Sequence, residues 1–181
     1  CVITRNNDTG VQNMGTYRCQ IQSPNRITLN TNPGRQGYQN YESYASQGQS
    51  APVAVAISCE PAVHMATSAA LPKGVDEITV AGGLKGSAVE MVRAKSVDLL
   101  VPASAEIVVE GLLDPTGRMQ EDGFGEFAGY MGEVGMRPFF DVQCITHRTD
   151  PIYYGYISQH PPSESTLIQG QANECVIHKQ L

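Results

Sequence analysis

The 181-residue chain has no CxxC pair, no HxxxH pair and no serine or cysteine in a GxSxG-like nucleophile motif. Its cysteines, Cys1, Cys19, Cys59, Cys144 and Cys175, are odd in number and widely scattered. That pattern argues against a disulfide framework and for reduced, buried thiols. His64, His147, His160 and His178 are equally dispersed, so zinc enzymes and triad hydrolases have little support. Basic residues are scarce, twelve against eighteen acidic, for a formal charge of −6. This excludes a nucleic-acid surface and a polybasic membrane anchor, and an anionic ligand would need locally placed cations. There is no long apolar run to form a transmembrane segment and no secretory leader, and reduced thiols fit a cytoplasmic setting. Repeats, low-complexity tracts and linkers are absent too, so residues 1–181 read as a single α+β unit. Cys1 in place of an initiator Met and the abrupt end at Gln180-Leu181 read as an excerpt of a longer chain whose terminal parts lie outside it.

What is present begins with hydrophobic patterning. Thr16 to Gln22 alternates like a half-buried strand and Arg26 to Thr31 forms a second, joined by a Ser-Pro-Asn turn into a hairpin. Tyr38 to Ser46 reads as a short helix and Pro52 to Ile57 as a strand covered on both faces. Helices are expected from Pro61 to Ala70 and from Asp76 to Leu84, then strands over Ala88 to Lys95, Asp98 to Val101 and Glu106 to Leu112, ended by Gly111 and Asp114-Pro115-Thr116-Gly117. That meander suggests a curved antiparallel sheet or barrel. Beyond it, Gly129 to Gly135 reads as a loop, Arg137 to Arg148 and Ile152 to Ile157 as strands, and the segment from Glu164 as a helix with Leu167, Ile168, Ala172, Cys175 and Val176 on one face.

Three groups of residues have chemical potential. Glu121-Asp122-Gly123-Phe124-Gly125-Glu126 places two acids across a glycine-bearing turn beside an aromatic ring. A partly dehydrated carboxyl is pushed toward its protonated form and one beside an arginine is held ionised, so such a pair can divide into proton donor and electrostatic anchor. Taken alone, two acids around glycines are ordinary solvated turn carboxylates. Asn13 and Arg18 stand five apart at the entry to a strand, where a neutral oxygen and a cation can face one cavity; an arginine paired to a surface acid is the plainer reading. Glu77 is either a helix N-terminal acid favoured by the dipole or, with Asn13, an oxygen ligand for Mg²⁺ or Mn²⁺.

Four motifs bring these together: Asn13-Met14-Gly15-Thr16-Tyr17-Arg18, the block from Val101 to Gly111, Glu121 to Glu126, and Ile145-Thr146-His147-Arg148-Thr149-Asp150-Pro151-Ile152-Tyr153. In this order and at these intervals they resemble the UbiD family of prenylated-FMN-dependent decarboxylases, the 3-octaprenyl-4-hydroxybenzoate carboxy-lyase kind. The resemblance implies a flavin-reductase-like split β-barrel with flanking helices, of which this chain is the middle. It also implies that Asn13 and Glu77 hold a divalent metal, Mn²⁺ or Mg²⁺, that clamps the flavin phosphate, with K⁺ as a further ion. Thr16, Tyr17, Arg18, the loop Asn30, Thr31, Asn32, Arg35 and Gln36, and the turn Ala66, Thr67 and Ser68 match cofactor-binding stretches. Arg18, Glu121 and Glu126 match the catalytic set, with Arg18, held by Glu121, facing the substrate carboxylate and Glu126 delivering the proton. The sequence departs from the family pattern in the loop Gly34 to Gln36, which has no metal-binding histidine and leaves two protein ligands or the borrowing of Gln36. Asp122-Gly123 replaces Gly-Pro, and His160-Pro161-Pro162 replaces Gly-Arg-Pro-Pro.

The implied activity is reversible, non-oxidative decarboxylation of an aromatic or α,β-unsaturated carboxylic acid. It would be carried out by a homo-oligomer, with a flavin prenyltransferase supplying the cofactor. Loss of carbon dioxide leaves a carbanion, so an electron sink is required and the prenylated flavin supplies it. Two alternatives stand beside this. One is a carboxylase-direction subunit of an aromatic-degradation complex, and the other is a flavin-binding subunit without catalysis.

Overall fold

In chain order the computed structural model contains β1 (Val2–Arg5), β2 (Gln12–Gly15), β3 (Arg18–Ser23), β4 (Arg26–Asn30), α1 (Gln36–Ala45), β5 (Ala51–Ile57) and α2 (Pro61–Ser68). There follow α3 (Glu77–Lys85), β6 (Met91–Arg93), β7 (Leu100–Pro102), β8 (Ile107–Glu121), β9 (Gly135–His147) and α4 (Glu164–Gln180). It describes residues 1–72, 74–126, 128–155 and 160–180, the last segment without the side chains of residues 172, 175, 176, 179 and 180. Seven strands make one antiparallel sheet in the order β2-β1-β5-β8-β9-β4-β3, and β6 pairs with β7 in a separate ribbon.

One feature of this order positions everything else: β2 and β3 follow each other in sequence yet occupy opposite edges of the sheet. Only Thr16 and Tyr17 lie between them. Three peptide steps keep the Gly15 and Arg18 Cα atoms within about 11 Å of each other, so the sheet curls until its edges approach at that link. The edges do not pair among the described residues. The α+β class and the antiparallel sheet expected from the sequence are therefore present, while closure into a barrel is not.

The sheet is buried on both faces. Ile3, Met14, Ala54 and Ala56 pack with Val63 and Ala66 of α2 and Ala81 of α3. Val2, Leu29, Val53, Leu113 and Phe140 pack with Tyr41 and Tyr44 of α1. In β5, alternate residues feed the two clusters, which is why its apolar run is continuous and not alternating. The tyrosines of α1 pack as expected, and Tyr41 donates through its hydroxyl to the Asp114 and Pro115 carbonyls at 3.1 and 2.9 Å.

Several expectations need correction. The strand expected over Thr16 to Gln22 is interrupted at Thr16-Tyr17, and β1 and β2 were not anticipated. Both are four residues long, too short to show a period. Asp114 to Gly117 does not end its strand. Asp114 accepts from the Thr116 and Gly117 amides and forms a bulge, so the pairing of β8 with β9 resumes at Arg118 and runs on to Glu121. Ala88 to Lys95 and Asp98 to Val101 contract to the short ribbon β6-β7 and do not continue the main sheet as a meander. Residues 152–155 carry no regular structure, and residues 156 and 157 of that expected strand lie outside the described residues. In α4, Leu167 is exposed, and the side chains of residues 172, 175 and 176 lie outside those described.

Of the cysteines, Cys59 is buried, while Cys1, Cys19 and Cys144 are only partly so; all four are free. Burial pushes the Cys19 thiol up to about 12.

Candidate active site

Arg18 opens β3 at the point where the sheet edges approach, and Glu121 closes β8. The Arg18 Nη2 donates to Glu121 Oε2 at 2.6 Å across 103 residues of sequence, and Glu121 is 0% exposed. Through Nη1, Arg18 also donates to Glu126 Oε1. Asn30, paired opposite Arg18 in β4, adds a third acceptor when its amide oxygen faces the guanidinium, 2.6 Å from Nη2 and 3.3 Å from Nε. Phe124 covers the guanidinium face, its ring centroid 4.5 Å from Cζ. Burial works against the charge of Arg18, and the neighbouring Glu121 and Glu126 overcome it, holding the guanidinium more firmly protonated than usual.

The turn that carries Glu126 is built by its backbone. Glu126 N donates to Tyr130 O at 2.8 Å and Gly132 N to Phe124 O at 2.9 Å, with Gly125 bridged to Met131. Gly132 leaves room for the pair: a Cβ there would lie 2.8 Å from both Arg18 Nη1 and Glu126 Oε1, so these side chains would have to shift. The two acids differ in freedom. Glu121 is fixed in a strand, where it also accepts from Thr28 Oγ1 at 3.4 Å, whereas Glu126 sits in a turn with its side chain 37% exposed.

A second group lies at the other end of the same link. Asn13 Nδ2 and Met14 N donate to the two Glu77 carboxylate oxygens at 2.9 and 3.2 Å. The Tyr17 hydroxyl donates to Asn13 Oδ1 at 3.1 Å and accepts from Gly37 N at 3.0 Å. Its ring passes so close to Gly37 that a Cβ there would lie 2.7 Å from Cζ. Glu77 is the first residue of α3, after the capping residue Asp76, which accepts from Ile78 N and Thr79 N at 3.3 and 3.0 Å. Burial raises the Glu77 carboxyl above its ordinary value, against the lowering effect of the Met14 amide. Among the described residues Glu77 has no ion-pair partner.

The remaining candidates border this strip. Thr16 N donates to Thr67 O at 3.2 Å, and the Thr16 and Ser68 hydroxyls are 3.4 Å apart. Thr67 is buried, its hydroxyl donating to His64 O at 3.1 Å, and Ala66 is a core residue. The Thr31 hydroxyl is buried without a partner among the described residues. Asn32 and Arg35 are exposed and Gln36 begins α1. The sequence reading missed Arg137, whose Nε approaches Glu121 to 3.6 Å. Its sequence carried no signal by itself: only the β8–β9 register shows that Arg137 shares a face with Gly135, the residue opposite Glu121.

The paired acids, the shared arginine and the Asn13–Glu77 contact coincide with the sequence motifs, and a family comparison agrees. The family model described as 3-octaprenyl-4-hydroxybenzoate carboxy-lyase Rift-related domain, UbiD, matches residues 1–161. The chain belongs to the UbiD family. It is similar to an uncharacterized protein of Synechocystis, 39% identical over 168 residues, which are 92% of this chain and 33% of that protein. Among solved structures, the UbiD-class enzyme HmfF from Pelotomaculum thermopropionicum in complex with FMN matches with a TM-score of 0.90 and 35% identity, over 98% of this chain and 39% of that one. An evolved dimeric form of HmfF in complex with prFMN matches at 0.89 and 34%, over 99% and 41%. The closed form of Sedimentibacter hydroxybenzoicus vanillic acid decarboxylase matches at 0.86 and 26%, over 93% and 36%. The chain thus spans 33% of the length of the curated relative and 36 to 41% of these three solved chains.

The residues of this UbiD-family chain fit a phosphorylated flavin held through a cation. Asn13 and Glu77 carry an amide oxygen and a carboxylate, both hard-cation ligands, and a half-buried Glu77 with no ion-pair partner among the described residues is a carboxylate that a cation would relieve. Asn13 now turns its Nδ2 to Glu77 and its Oδ1 to the Tyr17 hydroxyl, so for its oxygen to ligate beside Glu77 the amide must turn. Asn13 and Arg18 are five positions apart, at most about 18 Å of extended chain, a span that one ligand with an anionic end and a reactive end can bridge. The Thr31 hydroxyl, buried and without a partner among the described residues, is a further donor.

Proposed function

We propose that this chain is the central, prenylated-FMN-binding and catalytic region of a UbiD-like carboxy-lyase, acting on an aromatic or α,β-unsaturated carboxylic acid. The observation that carries this reading is the convergence on Arg18 of two carboxylates from 103 and 108 residues further along the chain. In this reading the curled sheet is the family's split barrel, and the whole protein is a cytoplasmic homo-oligomer that receives its flavin from a prenyltransferase. Asn13 and Glu77 would hold Mn²⁺ or Mg²⁺, which would supply positive charge for the flavin phosphate.

The two acids divide the work. Glu121 and Asn30 fix Arg18 from the strand side, while Nη1 points to Glu126 in its turn. A substrate carboxylate takes the place of Glu126 at Nη1 through charge-assisted hydrogen bonds. When bound, the prenylated flavin supplies the sink for the electron pair of the broken carbon–carbon bond. Displaced from Arg18, Glu126 takes a proton from solvent; carbon dioxide leaves, and Glu126 gives the vacated carbon that proton and is ionised again, free to return to Nη1. Phe124 keeps water from the guanidinium, which strengthens its hold on the carboxylate. The reverse sequence of the same steps fixes carbon dioxide.

The test is expression of the intact protein with a flavin prenyltransferase, identification of the bound flavin by mass, and a screen of aromatic and unsaturated acids for carbon dioxide release, with bicarbonate exchange to read the reverse direction. Flavin-loaded protein that releases carbon dioxide from none of them would leave the non-catalytic flavin-binding reading standing.

A further inference from the structure

Strands β8 and β9 set Met119 opposite Arg137 and Glu121 opposite Gly135. Side chains alternate along a strand, so all four positions share one face and Arg137 is the diagonal neighbour of Glu121. The glycine between them makes the approach possible. A Cβ at Gly135 would lie 3.2 Å from Arg137 Cζ and Nη2, so the arginine folds back over a position where any other residue would crowd it. Its Nε comes to 3.6 Å from Glu121 Oε2, the same oxygen that accepts from Arg18 at 2.6 Å. That Nε is buried and has no hydrogen-bond partner among the described residues. A small contraction of the cluster would supply one.

Charge gives this placement a purpose. Arg18 alone faces two carboxylates, and a substrate carboxylate that displaces Glu126 would again leave two anions on one cation, with Glu121 fully buried. Arg137 supplies the second cation. We infer that Arg137 is a positioning residue for carboxylate capture: it holds Glu121 in place, so that Glu121 keeps Arg18 aimed by Nη2 and Nη1 remains available to the substrate.

This inference rests on the decarboxylase reading of the site, and its test separates the two. In the intact, flavin-loaded protein, Arg137→Met should raise KM about tenfold while changing kcat about twofold or less, with Arg137→Lys restoring most of the loss. Arg137→Gln repeats the measurement if the methionine variant does not fold. Because Glu121→Gln removes turnover, the coupling is read by calorimetry as benzoate binding to the flavin-free intact protein. Arg137→Met should weaken benzoate binding about tenfold in the wild-type background and leave it unchanged in the Glu121→Gln background. Independent, multiplying effects in the double variant, a fall in kcat at unchanged KM, or a wild-type protein that binds no benzoate would each overturn the role of Arg137. Absence of turnover in the wild type together with a coupled benzoate cycle would defeat the decarboxylase reading and leave Arg137 as part of a carboxylate site.

Discussion

Arg18 donates to Glu121 at 2.6 Å, and the Glu121 side chain has no contact with solvent. A buried ion pair is worth little against a well-packed apolar pair, but removing Glu121 takes the shared carboxylate from both Arg18 and Arg137 and leaves Arg18 with Glu126 and Asn30. Glu121→Ala should therefore cost about 3 to 5 kcal/mol of stability, besides abolishing turnover. Urea denaturation reads this as a lower midpoint at unchanged slope. A midpoint equal to that of the wild type would mean that Arg18 finds another partner at no cost.

Glu126 stands in contrast, because its side chain is 37% exposed and sits in a turn. Glu126→Gln should lower turnover by about 10²- to 10⁴-fold, the usual worth of a positioned proton donor. The bound flavin should be retained, and stability should change by less than about 1 kcal/mol. Wild-type turnover in this variant would remove Glu126 as the donor and leave Arg18 and Glu121 as a purely binding pair.

How far these roles could be read beforehand varies by residue. The acids at 121 and 126 and the arginine at 18 stood in motifs, and β5 and α2 had local signals in the apolar run of Pro52 to Ile57 and the proline at 61, whereas Ile78, Thr79 and Val80 blurred the signal of α3. The break at Thr16-Tyr17 had none. Thr16 to Gln22 has strand-like alternation, and it is the long-range pairing of β2 with β1 and of β3 with β4 that divides it between two edges. The same division separates Asn13 from Arg18 into two working groups. Likewise Asp114 to Gly117 has every mark of a terminating turn, and only the partner strand β9, continuing past it, keeps β8 in the sheet as far as Glu121. Arg137 is visible only after that register is known.

The Asn13–Glu77 contact yields a prediction about pH and metal together. Burial raises the folded-state affinity of Glu77 for its proton above the ordinary value of 4.5. The folded chain therefore holds that proton more tightly than the unfolded chain. Stability from this group is greatest below 4.5, falls as pH rises toward the raised folded value, and stays low above it. A divalent cation needs the ionised form, so it should act in the opposite sense. Thermal unfolding should show Mn²⁺ raising Tm at about pH 7.5 and doing so less at about pH 5, with Glu77→Gln losing both the metal response and the decline with pH. Glu77→Ala and Asn13→Ala should also lose bound flavin, measured by absorbance after gel filtration. Undiminished flavin content in both would leave no place for a metal at this pair.

Glu110 titrates in the other direction. Only 1% exposed, it accepts from Lys95 N at 2.9 Å, Ser96 N at 2.6 Å and Ser96 Oγ at 2.8 Å, pinning the turn between β6 and β7 onto β8. Burial alone would raise its carboxyl, but the amides of Lys95, Ser96 and Val97 and the Ser96 hydroxyl outweigh burial and hold it below 4.5. The unfolded chain thus takes up the proton first as pH falls. The contribution of Glu110 is complete above 4.5 and is lost as pH drops through the lowered folded value. Glu110→Ala leaves these donors without their acceptor and should cost about 2 to 4 kcal/mol at neutral pH. Urea midpoints measured from about pH 7 down to about pH 3 should then show wild type and variant converging in acid. A gap of constant size across that range would mean that Glu110 supports the turn by packing and not by charge.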